Sequence, residues 1–163
     1  MGLLMKNIQA IDSKSLPYLS TDKLKLMDKL MVEEFNISVI HMMECAGLAL
    51  ATLSRLYAKQ NILIFAGKGH NGGDGFVAAK HLYNWGYKVS IALSCTKQEI
   101  IGIPKQQFSI IKKLNIDIIE PNSHSLDKAI KNSDLLIDSL LGFGITGAPR
   151  SNTKNLIQKM NAS

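Results

Sequence analysis

The chain has 163 residues, 46% apolar and 20% charged, which is typical of a single globular domain and predicts one domain over residues 1–163. The sequence has no apolar run of membrane-spanning length, no secretory signal pattern and no metal-type spacing of its two cysteines, so a cytoplasmic protein is expected. Its net charge of +6 comes from scattered lysines without aromatic interleaving, which favours a solvated surface over a nucleic-acid-binding or membrane-binding face.

Two helices are predicted before the first strand. Ser20 is a candidate N-cap for a helix whose apolar residues recur at helical spacing as far as Phe35. Ser38 can cap a second helix, from about Val39 to Ala58. We expect both helices to pack on the sheet or to take part in a subunit contact.

From Asn61 onward, apolar strand segments alternate with helical segments. The predicted strands are 61–66, 87–94, 116–119 and 134–138, and the predicted helices are 76–85, 104–114, 125–132 and 151–161. Gly86 fits the position just after a helix C-terminus. Such alternation predicts an α/β fold with a mostly parallel sheet covered by helices on both faces.

The segment Gly67–Gly75 has five glycines in nine positions and follows the first predicted strand. Glycine tolerates positive φ and lets backbone approach a ligand, so this segment predicts a loop that presents N–H groups to an anionic ligand. A second unusual loop begins at Asp138 and runs to Gly147. In a Rossmann-like strand order, the two loops would flank one crevice where the winding of the sheet reverses.

The spacing of Gly67, Gly69 and Gly72 also satisfies G-x-G-x-x-G, which on its own is a weak signal. A dinucleotide site of the dehydrogenase type needs an acidic residue at the end of the second strand. The next acid here is Glu99, which lies beyond that position. An ordinary dehydrogenase is therefore disfavoured, whereas a phosphate-bearing ligand is not.

Three polar residues of the glycine segment each have two interpretations. Asp74 can cap a helix that starts near Gly75, or it can act on a ligand. Asn71 can occupy a positive-φ turn, or its amide oxygen can bind a hard cation or a polar ligand. His70 can be a solvated bystander or a ligand contact.

Other candidate polar residues lie outside the glycine segment. Asp138 ends an apolar strand, and a buried carboxylate there would need hydrogen bonds, a cation or protonation. Glu44 is expected to face solvent or to bond a backbone group. No partner is predicted for the remaining histidines, which are His41, His81 and His124.

Three motifs resemble those of the NAD(P)H-hydrate epimerases over about residues 20 to 160. They are the N-G-G-D-G core at 71–75, the M-E-x-A-G pattern at 43–47, and Asp138 followed by the G-F-G of 142–144. The resemblance implies a Rossmann-like three-layer α/β/α fold and a homodimer. It also implies an isomerase that interconverts the R and S forms of hydrated NADH or NADPH, with a fused or separate ADP/ATP-dependent dehydratase as its partner. A non-catalytic nucleotide-binding or scaffolding module of the same fold is the alternative.

The resemblance also implies roles for individual residues. Asp74 becomes the candidate acid or base, and Asn71 and Asp138 become candidate ligands of a potassium ion. The implied contacts to the hydrated cofactor are His70, Asn71, Gly72, Gly73, Asp74, Gly142, Phe143, Gly144, Ile145, Thr146, Gly147 and Ala148.

The sequence departs from the family pattern in three places. His70 stands where the family loop has its first asparagine, and Cys45 replaces the asparagine of the M-E-N-A-G pattern. The chain also stops at Ser163, before the family's next strand and the Asp and Ser that complete its sites. We therefore expect a domain truncated at its C-terminus.

Overall fold

A computed structural model describes residues 18–121 and 123–163, in two compact units that divide between Ile37 and Ser38. The first unit contains helix α1 (Thr21–Glu33), and the Ser20 side chain caps it by accepting a hydrogen bond from the Lys23 N–H at 3.4 Å. This cap was predicted. Within the residues described, no helix is long and apolar enough to cross a membrane.

The second unit alternates strands with helices, and its strand bounds match the prediction within one residue at either end. The second helix keeps its predicted start at Val39 but ends at Ser54, earlier than the predicted Ala58, and Lys97–Glu99 form a 3₁₀ turn that was not predicted. In chain order the elements are α2 (Val39–Ser54), β1 (Asn61–Ala66), α3 (His70–Asn84), β2 (Lys88–Leu93), α4 (Gly102–Lys113), β3 (Asp117–Ile119), α5 (Ser125–Asn132), β4 (Leu135–Ser139) and α6 (Ser151–Asn161).

The four strands form one parallel sheet in the order β3-β2-β1-β4. The chain therefore winds outward from β1 through β2 to β3 and then crosses to the opposite side of β1. This reversal between β1 and β4 is the predicted switch point, where open α/β sheets bind ligands beyond the carboxyl ends of their strands.

Alternate side chains of β1 enter two different cores, one on each face of the sheet. Ile62 and Ile64 pack with α2, α3 and α4, whereas Leu63 and Phe65 pack with α5 and α6. A strand buried on both faces reads as a continuous apolar run, which is why 61–66 was recognisable in the sequence. The three-layer α/β/α arrangement is confirmed.

Asp134 fastens the amino end of β1 to the segment that precedes β4. Its two carboxylate oxygens accept hydrogen bonds from the backbone N–H groups of Lys59, Gln60 and Asn61 at 2.8 to 2.9 Å. Desolvation works against the charged form, but the three N–H donors outweigh it and hold the pKa of Asp134 below its usual range.

Candidate functional site

The glycine segment is the start of a helix, which corrects the predicted loop. Helix α3 begins at His70 rather than near Phe76, with Gly69 at its N-cap. The N–H of Gly73 bonds the carbonyl oxygen of Gly69 at 3.0 Å. The N-G-G-D-G core therefore forms the first turns of α3, directly beyond the carboxyl end of β1.

No glycine of this segment has positive φ, and close packing explains every one of them except Gly69, where an added β-carbon would meet nothing within 4 Å. A β-carbon on Gly67 would strike the carbonyl oxygen of Leu140, and one on Gly72 would strike the carbonyl oxygen of Gly67. A β-carbon on Gly75 would lie 2.7 Å from the β-carbon of Ser139. Glycine here lets α3 start against β1 and β4 with no side chain between them.

Asn71 connects the start of α3 to the loop after β4. Its side-chain NH₂ donates a hydrogen bond to the carbonyl oxygen of Leu141 at 3.1 Å. Nearby, the Gly67 N–H bonds the carbonyl oxygen of Ser139 at 3.0 Å. The interpretation of Asn71 as a positive-φ turn residue is wrong, since it is helical.

The loop that follows β4 lies beside this helix start. A β-carbon on Gly142 would meet the β-carbon of Asn71 at 3.5 Å, so the two predicted loops do flank one crevice. Residues 142–148 are exposed, and the large side chains of Phe143 and Ile145 are 48% and 49% accessible. The crevice thus has a helix N-terminus with its backbone N–H groups on one side and an accessible apolar loop on the other.

Asp138 is exposed, so the expectation of a buried carboxylate is wrong. One of its oxygens, Oδ1, accepts a hydrogen bond from the Leu140 N–H at 2.9 Å. Alternation along β4 explains the difference: Ile137 and Ser139 point into one core, while Asp138 faces the other side near the end of the strand.

The oxygens of Asn71 and Asp138 are of the type that hard cations prefer, and both residues bond the same backbone segment after β4. The donor set is therefore chemically suitable for potassium. Across residues 18–121 and 123–163, no group of three or more His, Cys, Asp or Glu side chains could hold a metal ion. Further ligands would have to be carbonyl oxygens, amide oxygens or hydroxyl groups.

Asp74 lies in the second turn of α3 and is half-buried, so its predicted role as a helix cap is wrong. His70 occupies the first position of the helix and is exposed at the mouth of the crevice. The ligand interpretation of both residues remains a prediction.

Cys95, just after β2, is the buried thiol at this edge of the sheet. Burial, reinforced by the negative charge of Glu99, raises the pKa of Cys95 to about 11. A thiol of that kind stays protonated near neutral pH and is a poor nucleophile. Cys95 is therefore disfavoured as a covalent catalyst.

Sequence reasoning missed an ionic cluster formed by Glu44, Lys80 and His81. The carboxylate of Glu44 accepts hydrogen bonds from Lys80 Nζ at 2.6 and 2.7 Å, and its Oε1 lies 2.8 Å from His81 Nε2. The expectation that Glu44 faces solvent or bonds backbone is wrong. Only the position of Glu44 on an apolar helix hinted at a specific partner.

Desolvation alone would raise the pKa of Glu44, but hydrogen bonds and charge from Lys80 and His81 outweigh it and lower that pKa. The carboxylate of Glu44 is therefore negatively charged near neutral pH. It joins α2 to α3 behind the crevice.

A second cleft, of about 320 Å³, lies at the opposite, amino-terminal edge of the sheet. It is bordered by strand starts and by α5, including Lys88, Ser90, Asp117, Lys128 and Asn132. None of the site residues predicted from the sequence lines it. Those predicted site residues instead lie around the crevice at the carboxyl ends of β1 and β4.

The family model described as "YjeF-related protein N-terminus" matches residues 39–163. A crystal structure of the yeast protein ynu0 superposes with a TM-score of 0.76 at 20% identity, covering 89% of this chain and 65% of the yeast chain. At that identity the likeness is one of fold.

Curated relatives are more similar in sequence but considerably longer. An NAD(P)H-hydrate epimerase of Plasmodium vivax is 32% identical over 90% of this chain and 50% of its own length. A bifunctional NAD(P)H-hydrate repair enzyme of Moorella thermoacetica is 35% identical over 75% of this chain and 25% of its own length. The chain thus spans half or less of these two relatives.

Proposed function

We propose, because the chain belongs to the family described as YjeF-related protein N-terminus, that it is an epimerase domain acting on hydrated NADH and NADPH. The reaction interconverts the R and S forms of a nicotinamide ring that has added water. The assignment to this chain rests on relatives of greater length, of which the Plasmodium vivax protein carries the name of such an epimerase.

One observation carries the proposal: the N-G-G-D-G segment starts α3 against the loop after β4 at the switch point of the sheet. Backbone N–H groups at the start of α3 suit the pyrophosphate of a dinucleotide, since a helix N-terminus favours anions. The accessible Phe143 and Ile145 suit a flat ring. Residues 70–74 and 142–148 are accordingly the proposed contacts.

The chemistry requires a proton to move at the hydrated carbon. In one route the hydroxyl takes a proton and leaves as water, and water then adds to the opposite face and returns the proton. In the other route the ring opens at the same carbon and closes again. We assign the proton transfer to Asp74, the carboxylate within the glycine segment, and charge stabilisation to the N–H groups of α3.

We further propose that Asn71 and Asp138 hold a potassium ion, for which their oxygens are suitable ligands. A bound potassium ion would supply positive charge beside the substrate's phosphates. Asn71 would bind it while its NH₂ group keeps the hydrogen bond to Leu141. Asp138 would use the oxygen not engaged by the Leu140 N–H.

We also propose a partner enzyme for this reaction, on the basis of the names of the relatives. A dehydratase that uses ADP or ATP would consume one epimer, either fused or separate; the Moorella relative is named as a bifunctional repair enzyme. A homodimer and a cytoplasmic location remain predictions. The alternative, a non-catalytic nucleotide-binding or scaffolding module, is less favoured because these relatives bear the names of enzymes.

The direct test is conversion of purified R-form hydrated NADPH to the S form, followed by chromatography in potassium and in sodium buffer. Asp74→Asn is expected to lower kcat at least about 100-fold, the usual contribution of a general acid or base. Asp138→Asn should raise the potassium concentration needed for half-maximal rate. The matched control is Asp117→Asn, an exposed carboxylate at the other edge of the sheet.

Two results would contradict the proposal. Conversion that Asp74→Asn leaves intact would remove the assigned acid or base. Binding of hydrated NADPH without conversion, by this chain and by a longer version of it, would favour the non-catalytic module.

A further inference from the structure

The first turns of α3 pack directly against α2. A β-carbon on Gly73 would lie 2.6 Å from the Met43 thioether, and one on Gly47 would lie 2.7 Å from the carbonyl oxygen of Asp74. The same β-carbon on Gly47 would strike the side chain of Val77. The backbone that carries Asp74 is thus in contact with α2 and not only with the sheet.

The Glu44 cluster lies along the same contact between α2 and α3. Glu44 comes directly after Met43, and Lys80 and His81 lie one turn beyond Val77 on α3. The three side chains are only 39% (Glu44), 18% (Lys80) and 22% (His81) exposed. Both carboxylate oxygens of Glu44 are engaged, which fixes the direction of its side chain.

The close contacts at Gly47 and Gly73 leave α2 little room to slide along α3. Moving α2 along α3 would push Met43 or Val77 into backbone, whereas moving it away would open a gap at Gly73 and Gly47. At the observed axial position, the carboxylate of Glu44 reaches both Lys80 and His81. The charged cluster and the glycine contacts therefore define the same arrangement of the two helices.

We propose that Glu44 is a positioning residue for the epimerase reaction. By binding Lys80 and His81 it sets α2 on α3, and α2 in turn holds the backbone of Gly73 and Asp74 at the crevice. This inference rests on the proposed function, since Asp74 is its assigned acid or base. It gives the M-E-x-A-G segment a physical role that is separate from substrate contact.

The first arm of the test needs no activity. Amide hydrogen exchange of the Gly73–Val77 region is compared in the wild type, Glu44→Gln and Asp127→Asn. Asp127 forms an ion pair with Lys159 on the other face of the sheet, so it serves as a matched control. Glu44→Gln is expected to speed exchange in the Gly73–Val77 region about fivefold or more and to leave α5 unchanged, whereas Asp127→Asn should leave the Gly73–Val77 region unchanged.

The second arm measures kcat and KM with hydrated NADPH. A displaced Asp74 affects the chemical step more than ground-state binding, so Glu44→Gln should lower kcat about tenfold with KM within about twofold. Glu44→Asp keeps the charge but shortens the reach, and it should recover part of both the exchange protection and kcat. It also serves as the test variant if Glu44→Gln does not fold.

The outcomes separate this inference from the proposed function. Unchanged exchange in the Gly73–Val77 region would overturn the positioning role, whatever the activity. Faster exchange with an unchanged kcat would overturn it as well. An inactive wild type would contradict the proposed function and any effect of Glu44 on the reaction, while the exchange data would still decide whether Glu44 holds the start of α3.

Discussion

Gly72 illustrates how the absence of one side chain shapes the crevice. Within a helix, alanine is favoured over glycine by about 1 kcal/mol, so propensity alone would replace this residue. In the folded protein, however, an added β-carbon would overlap the carbonyl oxygen of Gly67. That atom is backbone and cannot rotate away, so the steric cost exceeds the gain in propensity.

We expect Gly72→Ala to lower the free energy of unfolding by about 1–2 kcal/mol, the cost of overpacking less the helix gain. Urea unfolding measures it. Gly144→Ala is the matched control, because a β-carbon there meets no atom within 4 Å and its change should stay within about 0.5 kcal/mol. A Gly72→Ala variant as stable as the control would contradict the close approach of α3 to Gly67.

Asp134 is expected to make the stability of the fold depend on pH. Because its pKa is lowered on folding, its contribution is fully present above the ordinary carboxyl value of 3.8 and is lost as the pH falls through the lowered value. Asp134→Asn should lower the free energy of unfolding by about 1 kcal/mol at pH 7, a figure that already allows for the exposure of this carboxylate. The difference from the wild type should shrink below about pH 3.8. A pH-independent difference in urea unfolding would refute the role of the charge.

At the scale of the element, the two ends of α3 differ in how well the sequence predicted them. The C-terminus was predicted to within one residue, because glycine just after a helix is a recognisable local signal. In the structure, Gly86 has φ of +91° and the Tyr87 N–H bonds the Leu82 carbonyl oxygen. The N-terminus of α3 was placed too late. Glycines disfavour a helix locally, and only contacts with Gly67, Met43 and Ser139 explain why they are needed there.

Gly86 and Gly72 should therefore respond to substitution for opposite reasons. A β-carbon on Gly86 meets nothing within 4 Å, so the cost of Gly86→Ala is the strain of positive φ, about 1–2 kcal/mol. Gly86→Asn should cost less, because asparagine tolerates that conformation. Thermal unfolding of both variants measures this, and equal losses for Ala and Asn would show that φ is not the cause.

At the scale of the whole molecule, the strand pattern and the switch point were predictable from the sequence because each strand is a short apolar run with local boundaries. The meeting of the two loops followed from topology alone. The exposure of Asp138 and the partners of Glu44 were not predictable, since both depend on which face of an element meets its neighbour. Such contacts join residues far apart in sequence and leave no local pattern.

The crevice between the start of α3 and the loop after β4 is the proposed binding site of the hydrated dinucleotide. The most direct measurement is amide hydrogen exchange across the chain with and without hydrated NADPH. We expect protection of residues 70–76 and 142–148, with no change at the amino-edge cleft around Lys88 and Lys128. Protection at that cleft alone, or at neither place when the ligand is in excess, would contradict it.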